Sequence, residues 1–189
     1  VNGSIINGVK RRTIGIGPRK KKTFKVECPT TYLCTITFEN GTIIRLTLSF
    51  DVIAHQRNHI ELYGDKGSMV VPDPNMFGGS VYICKKLGNP WKEFKTNKMP
   101  LGKINIRTQS SRANESPTNA NYRGVGLSEM AYSIENKTLN KCNGELSLHV
   151  LDIIQSTMRA CKKNKPQLIK TSCKKPNPFT LTEIKRILR

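Results

Sequence analysis

Apolar and polar positions alternate through residues 31–39 (TYLCTITFE) and again through 42–50 (TIIRLTLSF), both rich in β-branched side chains. A period of two turns one side of each segment toward a core, so both read as strands. Asn40-Gly41 lies between them. That dipeptide predicts a tight hairpin, because a type I′ turn needs positive φ at both central residues. Residues 59–63 and 68–72 flank Gly64-Asp65-Lys66-Gly67, and 80–85 and 91–96 flank Gly88-Asn89-Pro90. Three consecutive hairpins predict an antiparallel sheet rather than βαβ alternation. Residues 1–6 add a short β-like run, and the basic stretch 7–23 reads as loop. Its Gly15-x-Gly17 has no third glycine and no helical pattern after it, so it carries no dinucleotide signal.

The period then changes. Residues 97–121 form a long polar loop rich in Asn, Ser and Thr, and loops of that length tend to be functional or mobile. Over 124–136, Val125, Leu127, Met130, Ala131 and Ile134 share one helical face. A stronger helix runs over 145–163, with Leu146, Val150, Ile153, Ile154, Thr157, Met158 and Cys161 as its apolar stripe, favourable lysines at its end and Pro166 as its stop. Residues 167–171 read as a short strand, and 180–188 as a terminal helix capped by Thr180 with Glu183 three residues on. Strands followed by helices give an α+β class: one open-faced, mostly antiparallel sheet with two main helices on one face, in a single domain over 1–189. The other face needs cover, and a second copy of the chain is the simplest cover.

Composition narrows this reading. With 37% hydrophobic residues spread along 189, the chain is globular rather than disordered. No apolar run reaches the roughly 18–20 residues of a membrane span, and no signal-peptide pattern opens the chain, so no membrane partner and a cytoplasmic location are expected. Net charge is +19. That balance suits a nucleic-acid binder, but the lysine-dominated charge is scattered, dense only at Arg19–Lys22 and without interleaved aromatics. Nucleic acid is therefore not the expected partner. The six cysteines (28, 34, 84, 142, 161 and 173) contain no C-x-x-C and no finger-like histidine spacing, which argues against zinc and for reduced, mostly buried thiols. Without a secretory signal, the N-x-S/T triplets at Asn2, Asn40, Asn114 and Asn136 carry no weight.

The segments TFKVECPTTYLCTITFENGTIIRLTLSFDVIAHQ and IELYGDKGSMVVPDPNMFGG, followed in order by NYRGVGLSEMAYSIENK and NGELSLHVLDIIQSTMRACKK, resemble the C-terminal domain of the glucose–fructose oxidoreductase / inositol dehydrogenase (Gfo/Idh/MocA) family. The resemblance covers nearly the whole chain. It implies a two-domain parent whose Rossmann half binds NAD or NADP, and a C-terminal half that carries substrate contacts and oligomerises through its sheet. Typical substrates are sugars, inositols and related polyols. By this resemblance the Gly-rich fingerprint, the Glu-Lys-Pro lysine and the acid/base pair belong to a missing upstream half. The chain alone is then expected to bind no cofactor and to carry no catalytic residue. Its partners would be a Rossmann domain in cis or trans and a second copy of itself. Loop 97–121 looks longer than the family's.

Five residues are candidates for lining a substrate site. Asp51 and His55 lie four apart after a long strand. They do not match the family's catalytic helix, so hydrogen bonding to hydroxyls is their functional reading and strand-end capping the favoured one. Asp73 and Asn75, in the turn-rich PDPNMFGG, suit a polyol, against an Asx-turn role. Arg123 opens the first helix and suits a carboxylate or hydroxyl. His59 reads as surface, His149 as a half-exposed helix residue, and Trp91 as packing. Two other functions compete: a stand-alone scaffold that pairs through its sheet, and a basic nucleic-acid binder, which a steep salt dependence would mark.

Overall fold

The computed structural model describes residues 1–105 and 121–188. Most of the long polar loop and the Asn114 triplet lie outside the described residues. The class is α+β, with open antiparallel sheets and, among the described residues, three helices, and the chain divides into two compact units.

The first unit comprises Val1–His55 and Asn143–Lys174. Strands β1 (Asn2–Ile6), β4 (Thr31–Thr37) and β5 (Ile43–Ser49) form an antiparallel sheet in the order β1-β4-β5. Two short strands pair with each other, β2 (Arg11–Thr13) inside the stretch expected to be loop and β3 (Thr23–Lys25) starting at its last residue. Three residues are too few for a periodicity signal, and only backbone pairing reveals them. The turn between β4 and β5 also differs from expectation. Gly41 alone of the Asn40-Gly41 pair has positive φ (84°), and its N–H donates to the Phe38 carbonyl. The loop is therefore three residues long with glycine at its left-handed position, not a type I′ turn.

Helix α2 (Gly144–Lys163) packs on β1 and β4. Asn143 caps it by accepting the Leu146 N–H at 3.0 Å, and Asn164 ends it in the left-handed conformation. Cys34 and Ile36 of β4 and Ala160 and Cys161 of α2 are buried. The helix lies close enough that a Cβ on Gly3 would come within 2.8 Å of Cys161 Sγ. The buried face is rotated from the expected stripe: Ser156, Thr157, Ala160 and Cys161 are inside, while Val150, Ile154 and Met158 are exposed. The turning element is Asp152, whose Oδ2 accepts the N–H groups of Lys170 (2.9 Å) and Thr171 (3.1 Å). This tie replaces the short strand expected at 167–171 with an extended segment. The segment is also held at Gln167, which exchanges backbone hydrogen bonds with Val1.

The second unit comprises Gln56–Cys142 and Lys175–Arg189. Strands β6 (Ile60–Gly64), β7 (Gly67–Val71), β8 (Ser80–Cys84) and β9 (Lys92–Lys95) form a meander in that order. Helices α1 (Val125–Glu135) and α3 (Leu181–Ile187) pack on each other, so among the described residues one helix, α2, covers a sheet rather than two. The reason lies on α1. Its buried residues are Glu129 and Ser133, and the Glu129 carboxylate accepts the Lys141 N–H at 2.9 Å and the Ser133 hydroxyl at 3.2 Å. Leu127, Met130 and Ile134, expected to face inward, are exposed. The capping box of α3 forms as expected, with Thr180 and Glu183 bonding reciprocally.

The two sides of the β6–β9 sheet differ sharply. Pairing sets Ile60, Leu62, Met69, Val71, Val81, Ile83, Lys92 and Phe94 on one side. Seven of these eight are apolar, and none is buried. The other side carries Glu61, Tyr63, Ser68, Val70, Tyr82, Cys84 and Glu93.

Candidate functional site

Asp73, Asn75 and Arg123 come together in the second unit. Asp73 Oδ1 accepts the Asn75 N–H at 2.9 Å and starts a single 3₁₀ turn, Pro74–Met76. The Asx-turn reading of Asp73 is thus met in the backbone geometry. Arg123 Nη1 donates to Asn75 Oδ1 at 2.8 Å across 48 residues of chain. Sequence reading named these residues separately, and only the fold joins them.

A knot of loops holds the group in place. Phe77 sits at φ 65°, a conformation that bulky residues rarely adopt, and its ring meets Tyr122 at 5.2 Å. Asn105, 1% exposed, donates its N–H to the Met76 carbonyl and accepts the Tyr122 N–H at 2.7 Å. Its Nδ2 is buried with no hydrogen-bond partner among the described residues. An unmet buried donor costs about 1–3 kcal/mol, and this amide lies among the residues that brace Asn75 and Arg123. Thr96 Oγ1 lies 2.8 Å from the Gly79 carbonyl and 2.7 Å from that of Gly102, closing the knot at its other end.

Asp51 and His55 belong to the first unit. Asp51 Oδ1 accepts from Arg12 at 2.9 Å, and Oδ2 accepts from Thr31 at 2.8 Å and from Thr30. These hydrogen bonds, that of Thr30 foremost, hold its carboxyl below the usual range. Both oxygens are engaged in tying β2 to the ends of β4 and β5, and this geometry suits the bracing role. His55 lies four residues on, in an exposed segment.

Other placements follow from single contacts. His149 is half-buried, with Nδ1 3.0 Å from Thr171 Oγ1. His59 is exposed, and Trp91, expected to pack, is 48% exposed. Of the six thiols only Cys34 and Cys161 are buried, with Sγ atoms 3.6 Å apart. Cys28 and Cys142 are exposed, and Cys84 and Cys173 lie between. Burial, then the hydrogen bond with Cys161, pushes the Cys34 thiol up to about 11. At pH 8 a thiol reagent should therefore react quickly with Cys28 and Cys142, and with Cys34 and Cys161 only after denaturant is added. Time-resolved labelling with mass spectrometry checks this order.

Asp152 is the most strongly shifted carboxylate among the described residues. The N–H groups of Lys170 and Thr171, then the Ser156 and Thr171 hydroxyls, lower it to about 2. A folded pKa below the unfolded value of about 3.9 gives stability that is complete above that value. That stability is lost as pH falls through 2. Asp51 and Glu183 are shifted in the same direction. Urea denaturation between pH 7 and pH 2 should show a falling midpoint below about pH 4, and Asp152→Asn should flatten that fall.

Sequence reading missed one cluster altogether. Asn58, Glu61, Tyr63, Val70, Tyr82 and Trp91 line a concavity of ≈ 320 Å³ on the sheet. The i, i+2 pair Glu61 and Tyr63 is visible as alternation, but its meeting with Tyr82 and Trp91 depends on the β6–β8 register. Among the described residues, no group of three or more His, Cys, Asp or Glu could hold a metal ion, and no helix is long and apolar enough to cross a membrane. Comparison of the chain with protein-family models, with curated proteins and with solved structures returned no match.

Proposed function

We propose that this chain acts as the substrate-binding and oligomerisation domain of an NAD(P)-dependent oxidoreductase of the glucose–fructose oxidoreductase / inositol dehydrogenase type. A Rossmann domain, in cis or in trans, would hold the nicotinamide cofactor, which supplies the hydride chemistry on a sugar or polyol carbinol. Arg123 and Asn75 offer hydroxyl-binding groups for one wall of the substrate site, braced from within by Asn105, and the reacting groups lie outside this chain. The observation that carries the reading is the apolar side of the β6–β9 sheet. Seven apolar side chains on one open face match the sheet-mediated assembly that the sequence resemblance implies.

Calorimetry with NAD(H) and NADP(H), combined with light scattering, tests this reading. The expected result is no cofactor binding at micromolar concentrations and a mass at least twice the 21.3 kDa of one chain. Micromolar cofactor binding, or a monomer at all concentrations, would refute it. A stand-alone scaffold that uses the same apolar face is the second reading. A Rossmann protein that binds the chain and gains sugar dehydrogenase activity from it would exclude that alternative.

A further inference from the structure

We infer that the aromatic side of the β6–β9 sheet binds a methylated, quaternary ammonium group, with Tyr63, Tyr82 and Trp91 around it and Glu61 as its counter-ion. This inference is independent of the function proposed above and uses the opposite side of the sheet.

The register puts Glu61, Val70, Tyr82 and Glu93 in one row across the four strands, with Tyr63, Ser68 and Cys84 in the next row. Trp91 precedes β9 and completes the lining of the concavity, with Val70 among its lining residues. The concavity, ≈ 320 Å³, is open on the sheet surface and large enough for a small cation. The three rings are 74%, 40% and 48% exposed. They include the single Trp of a chain with 6% aromatic residues. Ring faces open to solvent beside a carboxylate attract a cation through the ring quadrupole.

Desolvation distinguishes the candidate ligands. Glu61 accepts from Tyr63 Oη on one oxygen and from Asn58 Nδ2 at 2.7 Å on the other. These two contacts keep the carboxylate ionised and fix the phenol. Each contact takes one lone pair of its oxygen, and the rest of the charge faces the rings. A primary ammonium would leave water with three N–H donors to satisfy, and a sugar would bring both donors and acceptors. A quaternary ammonium needs neither, only negative potential and ring faces. Glu61 supplies the negative charge beside the rings, and Arg57, near enough to help lower its carboxyl, is the cation with which such a ligand would compete.

The single Trp makes the test direct. The full chain is titrated with tetramethylammonium, choline and N-acetyl-trimethyl-lysine amide, with Trp91 fluorescence as the readout. The uncharged 3,3-dimethylbutanol is the shape control, and glucose and myo-inositol are the sugar controls. The expected result is a saturable change with the ammonium ligands, and binding of the neutral isostere weaker by about tenfold or more. Glu61→Gln should weaken ammonium binding by about threefold or more, with binding of the neutral isostere unchanged. Whichever of choline and the trimethyl-lysine amide binds tighter shows whether the group belongs to a small molecule or a modified protein. Equal binding of the neutral isostere, saturation by a sugar without saturation by ammonium, or no saturable response would overturn the inference. The comparison of ligands on the unaltered chain does not depend on how any variant folds.

Discussion

Gly102→Ala destabilises the second unit by about 3 kcal/mol, the upper part of the range for an overpacked site. A Cβ at this buried position would sit 1.8 Å from the Thr96 carbonyl oxygen and 3.0 Å from that of Met99. Both are backbone atoms, so no side chain can rotate away. The Gly102 N–H closes the turn on the Met99 carbonyl, and its own carbonyl lies 2.7 Å from Thr96 Oγ1. Moving Gly102 would break both contacts. It would also press on Gly78, where a Cβ position lies only 2.0 Å from the Gly102 carbonyl oxygen. The strain therefore spreads to the turn that carries Asp73 and Asn75. For a chain of this length the loss corresponds to a melting temperature lower by roughly 6–12 °C. Urea denaturation followed by Trp91 fluorescence reports on this unit. Gly126→Ala in α1 is the control of opposite sign. Nothing lies within 4 Å of its Cβ position, so helix propensity alone should stabilise it by about 0.5–1 kcal/mol. Equal stability of Gly102→Ala and the parent chain would mean that the loop knot does not pack as described.

The second large effect concerns assembly. The double variant Leu62→Glu/Phe94→Glu should convert the proposed oligomer to a 21.3 kDa monomer at micromolar concentrations in light scattering. Leu62 and Phe94 are both half-exposed on the apolar side of the sheet, one on β6 and one on β9. An interface on that side would bury them against another apolar surface. Replacing them with carboxylates places unpaired charge in a desolvated contact, and a self-complementary interface repeats the fault. The dissociation constant should rise by about a hundredfold or more. Leu139→Glu, on an exposed residue outside the sheet, should leave the mass unchanged. An unchanged mass for the double variant would move the interface to another surface.

Much of the architecture was legible because it is local. The three hairpins have apolar alternation on both arms and glycine-rich turns between them. The capping box of Thr180 and Glu183 spans one helical turn, and α2 begins and ends within one residue of its expected bounds. Each signal needs only neighbours within a few positions. The β2–β3 pair was not legible, because three-residue strands have no period. The inward faces of the helices were misjudged for a different reason. Periodicity ranks faces by apolarity, but Glu129 and Asp152 bury polar faces because each carboxylate satisfies backbone N–H groups from distant segments.

The candidate residues divide in the same way. Alone, the sequence determined the α+β class, the hairpin order, the helix bounds and the residue types suited to a polyol or a charge. Tertiary structure decided which of them meet. It joined Arg123 to Asn75, enclosed Asp51 among Arg12, Thr30 and Thr31, and set Cys34 beside Cys161 across 127 residues. It also sorted the β6–β9 side chains into an apolar face and an aromatic, acidic one. The physical reason is register. A strand's period of two states that alternate residues share a face, but only inter-strand pairing determines which residues of four strands share the same one.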